Sequence, residues 1–547
     1  MTAHEPCALP RFLRKRAKDR GEQPFIVLGD HCLSYADLEA GSRRLAKGLL
    51  AHGAGKGTRV GLLMPNGPDW VTAWAAVTRI GALLVPLNTF YQSRELGWVL
   101  AHADVDALLC VDRYLRNDYL ERLEQFAPTL AEVTGSTLRI EALPYLRSVH
   151  VIGTTQRPWT TPLSDLEARA DEIPEALLEA VEAQVTPADA MLVIYSSGST
   201  ADPKGAIHTH GTVLRHAHNL NQLRDLLPAD RLYSPMPFFW VGGFLFSLVS
   251  VMEVGACLLC EEIFEPGATL QMLERERATI VTGWPHYSKA LADHPSFGER
   301  DLSSVRAGNL YDLLPEALRP ADLELRSNSL GMTETCGPHT MDAMDQTLPE
   351  TLRGSFGHAV PGMEHKIVDP ETGATLDAGE FGEICVRGQS LMQGLYKQER
   401  QDVFDRDGFY HTGDAGHFTA DGVLFFKARL GDLIKTGGAN VAPREVEVAM
   451  ESLPGVRSAF VVGVPHPDRG ENVAAVFVPQ EDSEATAASI RTALRTELSA
   501  YKVPRHLWRF RSEDVPMTDS GKVDKKRLGA ELAARIRAGD AGETQHG

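Results

Sequence analysis

The stretch Met191-Leu192-Val193-Ile194-Tyr195-Ser196-Ser197-Gly198-Ser199-Thr200-Ala201-Asp202-Pro203-Lys204-Gly205 passes from an apolar strand straight into a loop of small and hydroxylated residues. Three Ser, one Thr, two Gly and one Lys fall within the ten residues 196–205. Such residues let backbone N–H groups and hydroxyls close around a phosphate, and Lys204 adds a positive charge. A polar loop that merely follows a strand would share part of this composition; the density of donors favours the phosphate cradle. It is not a Walker A loop, because no Gly-Lys-Ser/Thr opens a helix.

Upstream, strand-like and helix-like segments alternate. Arg59–Met64 reads as an apolar strand, Pro68 opens a helix to about Gly81, and Ala82–Leu87 is a second strand. Ser93 begins another helix before Ala107–Asp112 returns as a strand. This alternation predicts a parallel sheet covered on both faces, hence an α/β fold. Residues 127–186 are poorer in pattern and read as decoration. Downstream the character changes near Leu430. Aromatic hairpin signals around Asp407–Tyr410 and Asp421–Phe426 precede Leu430-Gly431-Asp432. A helix then starts at Pro443, with Val446, Ala449, Met450 and Leu453 on one face. Strands at Ser458–Val464 and Asn472–Val478 and a helix near Ala485–Ser499 complete a small α+β unit. These signals divide the chain into residues 1–430 and 431–547, with a disordered tail from about Gly539.

The bulk composition narrows the function. At 547 residues the chain exceeds one core, and its 43% apolar and 23% charged residues are those of an ordinary globular protein. A net charge of −18 argues against a nucleic-acid surface. Seven cysteines, an odd number widely spread, fit reduced thiols and a cytoplasmic setting. Cys257-Leu258-Leu259-Cys260 lies in an apolar run and reads as two buried thiols rather than a metal pair. Trp240–Cys260 carries a single charge, Glu253, but its glycines break it into a buried helix and a strand, so no membrane span is expected.

Three further motifs could carry chemistry. Gly331-Met332-Thr333-Glu334-Thr335 offers a carboxylate oxygen to a hard cation, or a helix-capping Glu. His411-Thr412-Gly413-Asp414, with Arg429 fifteen residues beyond Asp414, offers an acid suited to a ribose diol, or a turn Asp capping its own backbone. In Thr518-Asp519-Ser520-Gly521-Lys522, the lysine taken alone is an ordinary solvated charge.

In order and spacing, these motifs together resemble the adenylate-forming superfamily: acyl-CoA synthetases, aryl-CoA ligases, luciferase and peptide-synthetase adenylation domains. The resemblance runs from Leu33-Ser34-Tyr35 through Pro86-Leu87-Asn88 to Lys522, and Lys435–Glu447 resembles the loop that begins the family's C-terminal lid. It implies a large N-terminal domain of two αβ subdomains plus a distorted β-barrel, followed by a small α+β lid. It further implies that ATP and a carboxylic acid form an acyl-adenylate with release of pyrophosphate, after which coenzyme A takes the acyl group. Ser196, Ser197, Gly198, Ser199, Thr200 and Lys204 would hold phosphates, Thr200 and Glu334 would bind Mg²⁺, and Thr333 would touch the α-phosphate. Asp414 and Arg429 would hold the ribose, and Lys522 would bridge carboxylate and α-phosphate. Gly431 would be the hinge, and Gly437 and Gly438 would line the coenzyme A tunnel. A homodimer is left open.

Three positions depart from the family pattern. Leu330 stands where an adenine-packing aromatic is usual, and Gly431 where Lys or Asp is usual. Trp240 replaces a common His and, with Trp284 and Tyr287, is expected to line an apolar acyl pocket, or else to belong to the core. That pocket favours a bulky, largely apolar monoacid: aromatic, alicyclic, or medium- to long-chain. Two alternatives remain: transfer to a carrier protein or an amine, and a non-catalytic nucleotide-binding relative, suggested by Leu330, Gly431 and Asn309-Leu310.

Overall fold

The computed structural model describes residues 7–135, 137–154, 157–196, 203–344, 346–436, 439–441, 443–467, 470–481, 483–498, 501–518, 522–540 and 542–544. Two compact units share the chain: Met1–Glu364 with Val386–Tyr410, and His365–Cys385 with His411–Gly547.

The first unit is built on two large sheets. One has eight strands in the order Gly394–Leu395, Lys204–Thr209, Ala190–Ser196, Leu83–Pro86, Arg59–Leu63, Ala107–Val111, Ser148–Ile152 and Thr161–Pro162. Its centre is parallel, as the strand–helix alternation predicts, with Val60 opposite both Leu84 and Ala107. The helices Pro68–Arg79 and Ser93–His102 connect these strands. Ser148–Ile152 is an integral strand, running parallel to Ala107–Val111 from Ala107↔Ser148 to Val111↔Ile152. Part of the segment read as decoration is therefore sheet.

The other sheet has six strands, ordered Ala307–Gly308, Ile280–Val281, Arg231–Tyr233, Cys257–Cys260, Pro24–Leu28 and His31–Ser34. Here the N-terminal hairpin joins strands more than two hundred residues away. Cys257 and Cys260 are buried in this sheet, and burial pushes the Cys257 thiol up to about 12, so neither is a ready nucleophile. Between Trp240 and Cys260 the chain forms short α-helical turns flanking a π-helix at Phe244–Val249, then the strand. No helix among the described residues is long and apolar enough to cross a membrane.

The second unit contains most of a four-stranded sheet, ordered Met363–Val368, Gly382–Gly388, Tyr410–Phe418 and Leu424–Arg429. No closed barrel forms among the described residues. A further sheet pairs Val456–His466 with Gly470–Pro479 and packs the helix Pro443–Glu451 on Val456–His466. Val446 and Met450 face that core, as their helical spacing predicts. One tail expectation is corrected: Glu543–Thr544 is a short strand that pairs with His506–Arg509. A two-residue edge strand held by backbone bonds needs no apolar pattern, which is why its sequence carries no sign of it.

Candidate active site

In the first unit the phosphate-loop signal sits on a hairpin. Ala190–Ser196 pairs antiparallel with Lys204–Thr209, and Ser196 lies directly opposite Lys204. The lysine is thereby fixed at the mouth of the connection. Ser197, Gly198, Ser199 and Thr200, and with them the expected Thr200 contact to Mg²⁺, lie outside the described residues.

Leu330–Met332 forms a strand paired with Gly337–Thr340, and Thr333–Thr335 makes a 3₁₀ turn between them. This approach is so close that a Cβ on Gly331 would lie 2.6 Å from the backbone nitrogen of Pro338, so only glycine fits. Thr335 closes the turn by donating its hydroxyl to the Gly337 carbonyl at 2.7 Å. Leu330 is half-buried opposite Thr340.

The turn packs on both strands of the phosphate-loop hairpin, so the Thr333–Thr335 turn and the hairpin meet. One residue that the sequence reading missed ties them. His208, on the same strand as Lys204 and fully buried, donates from Nε2 to the Thr333 carbonyl at 2.8 Å. A carbonyl only accepts, so Nε2 carries the proton and Nδ1 is bare. Burial lowers the His208 pKa to about 4, keeping the ring neutral near pH 7. The next carbonyl along the turn is pinned as well: the Met392 amide donates to Glu334 at 2.7 Å. The Glu334 side chain is half-buried, a hard oxygen donor of the kind Mg²⁺ takes.

The expected acyl-pocket aromatics also gather in this unit. Trp240 and Trp284 are both half-buried, with ring centroids 5.7 Å apart. Tyr287 stacks on Trp284 at 6.3 Å, and Phe90 lies 6.3 Å from Trp240. Two asparagines hold the backbones that carry the indoles. Asn66 donates to the Met236 carbonyl at 2.9 Å and accepts from the Phe238 amide at 2.8 Å. Asn309 accepts from the Gly283 amide at 3.0 Å and donates to the Gly283 carbonyl at 2.8 Å. Asn309, one of the positions that suggested a non-catalytic relative, thus has a structural task beside Trp284. Nothing in the sequence marks either clamp, because an asparagine in a loop is commonplace.

In the second unit Asp414 and Arg429 are cross-strand neighbours, joined through Nε and Oδ1 at 3.0 Å. The carboxylate side chain is 7% exposed and the guanidinium 53% exposed. The Asp414 amide donates to Thr412 Oγ1, whose hydroxyl donates to the Ile384 carbonyl, so the acid is set by its own strand rather than by a loose turn. Lys522 is exposed, and its carbonyl accepts from the Thr518 amide at 2.7 Å. Gly431 sits in the exposed 3₁₀ turn Leu430–Asp432, where an added Cβ would meet nothing within 4 Å. Gly437 and Gly438 lie outside the described residues, between paired strands in which Thr436 stands opposite Ala439.

Comparison with known proteins agrees with this geometry. The family described as AMP-binding enzyme matches residues 13–396, and its C-terminal domain matches residues 445–522. The chain is 32% identical over 519 residues to a feruloyl-CoA synthase of Amycolatopsis, covering 93% of this chain and 96% of that one. It is 30% identical over 543 residues to the mitochondrial medium-chain acyl-CoA ligase ACSF2 of Mus musculus, covering 96% and 86%. Among solved structures, the amide bond synthetase McbA from Marinactinospora thermotolerans superposes with a TM-score of 0.77 at 27% identity, covering 96% of this chain and 99% of that one. With matched motifs in both units and a family match over most of its length, the chain belongs to the AMP-binding enzymes.

Proposed function

We propose that this chain is an AMP-forming acid–thiol ligase acting on a bulky, largely apolar monocarboxylic acid. The observation that carries the acid class is the half-buried pair Trp240–Trp284 with Tyr287 stacked behind it. Flat apolar walls suit an aromatic, alicyclic or medium- to long-chain acid, and a second buried carboxylate would need a charged partner. The acyl groups in the relatives' names, feruloyl and medium-chain acyl, fall in the same range.

The reaction asks the protein to bring a carboxylate to a triphosphate that repels it. Ser196 and Lys204 at the hairpin mouth, with Ser197, Gly198, Ser199 and Thr200, are proposed to cradle the phosphates, and Thr333 to face the α-phosphate. Mg²⁺, when bound by Thr200 and Glu334, would offset phosphate charge. Asp414 and Arg429 are proposed to hold the ribose, and Lys522 to bridge carboxylate and α-phosphate during adenylation. We assign residues 1–430 to the adenylation domain and 431–547 to a mobile lid that turns at Gly431 and offers Gly437 and Gly438 to the pantetheine arm. The seven cysteines, all among the described residues, form no disulfide, which supports a cytoplasmic setting.

The likeness to an amide bond synthetase favours a second reading, in which an amine takes the acyl group. A panel of acids, assayed for pyrophosphate release and for product with coenzyme A, with an amine or with neither, tests both. Thioester formed from ring-bearing or medium-chain acids supports the first reading. Release of pyrophosphate with amide as the only product supports the second. No pyrophosphate release with any acid refutes both.

A further inference from the structure

Beside the proposed ribose pair lies a cluster with no part in that chemistry. Glu383 and Cys385 are two apart on the strand Gly382–Gly388, so their side chains share one face of the sheet. His411 projects from the neighbouring strand Tyr410–Phe418. Its Nδ1 lies 2.8 Å from Glu383 Oε2 and 3.5 Å from Cys385 Sγ. One donor atom from each residue falls within 4.8 Å of the others.

We propose that Glu383, Cys385 and His411 form a site for a borderline divalent cation, with Zn²⁺ the best fit. With Zn–S of about 2.3 Å and Zn–N of about 2.05 Å, two ligands at the tetrahedral angle stand roughly 3.6 Å apart. The Sγ···Nδ1 separation of 3.5 Å already meets that value. The Oε2···Nδ1 separation of 2.8 Å is a hydrogen-bond distance and would open by about half an ångström on metal binding. A thiolate, a neutral imidazole and a carboxylate favour zinc-like ions over Mg²⁺ or Ca²⁺, which take oxygen. The two anionic ligands also balance the ion's charge. Cys385 is buried, Glu383 is 12% exposed and His411 is 44% exposed, so the ion would enter past the histidine and keep a fourth position for water. The other Glu383 oxygen accepts from the Gly413 amide at 3.0 Å, one residue before Asp414. A bound ion would therefore cross-link two strands beside the ribose pair.

The test uses the full chain, reduced and freed of metal, titrated with Co²⁺. The expected result is one equivalent bound, with a thiolate-to-cobalt charge-transfer band that Zn²⁺ abolishes and a large excess of Mg²⁺ does not. Cys385→Ser should remove the band. His411→Gln should weaken cobalt binding at least about tenfold, since even outer partners of metal ligands are worth that much. Absence of a thiolate band in the unaltered protein overturns the proposal. So does a band that survives Cys385→Ser, which would place the ion on another thiol such as the exposed Cys32. If Cys385→Ser fails to fold, the exposed His411 decides: unchanged affinity in His411→Gln overturns the site.

Discussion

Replacing His208 by leucine removes one hydrogen bond and keeps much of the apolar volume. The ring nitrogen donates to the Thr333 carbonyl at 2.8 Å from a fully buried position. A leucine side chain has no donor, and a partly buried carbonyl left without its donor costs about 1–2 kcal/mol, or roughly 5–30-fold in an equilibrium. That cost falls on the turn presenting Thr333 and Glu334, and not on the aromatic wall at Trp240. In ATP–pyrophosphate exchange with saturating acid, kcat/KM for ATP should drop about 5–30-fold while KM for the acid stays within about twofold of the unaltered enzyme, an order-of-magnitude expectation from the same hydrogen bond. His208→Gln, which keeps an N–H donor, should recover part of the loss. With a pKa of about 4 the imidazole stays neutral, so this contact should add no titration to the ATP kinetics near pH 7. Equal losses for ATP and acid, or no loss at all, would refute the tie between His208 and the Thr333 turn.

Lys522→Ala should slow adenylation by about 10²–10³, the loss of one preorganised contact, yet spare thioester formation from a supplied acyl-adenylate; equal losses in both steps would show a merely structural lysine. Glu334→Gln should raise the Mg²⁺ needed for ATP use while acid binding holds, and failure of added Mg²⁺ to recover any activity argues against a metal contact. Trp240→Ala should move preference toward larger acids with ATP affinity nearly unchanged, whereas an unaltered ranking across a chain-length and ring series marks Trp240 as ordinary core. Acid should unfold the first unit early: burial lowers His208 and His210 to about 4 and His216 to about 3. The unfolded chain takes up these protons below about pH 6.5 and the folded one does not until near pH 4, so stability falls as pH drops through that window, by up to roughly 3 kcal/mol per histidine. A melting temperature that stays flat from about pH 7 to about pH 5 would falsify this.

The central strands and the helix Pro443–Glu451 were legible because each carries its period in a continuous segment, as in Arg59–Leu63 for the strands. Ser148–Ile152 was not, since Ser148 and His150 are buried polar residues satisfying each other at 3.0 Å, which breaks an apolar run. The proposed ribose pair was visible only as two letters fifteen residues apart; the strand register that sets Asp414 against Arg429 comes from the fold. The donor-rich composition of the proposed phosphate loop is plain in the sequence, and the antiparallel pairing of its flanking strands is not, because that pairing depends on the downstream strand Lys204–Thr209. His208, Asn66 and Asn309 escaped notice for a common reason. Each acts on a backbone group at least 26 residues distant, and side chains that hold remote backbone leave no local pattern.

The two asparagine clamps bear on how such an enzyme could change its diet. Asn66 and Asn309 grip main-chain groups at Met236, Phe238 and Gly283, and so fix the ribs on which Trp240 and Trp284 stand. A wall anchored through its main chain does not depend on the particular ring it displays. On the proposed reading of Trp240 and Trp284 as walls of the acyl pocket, the displayed rings can be exchanged one at a time while the main-chain scaffold behind them keeps its clamps.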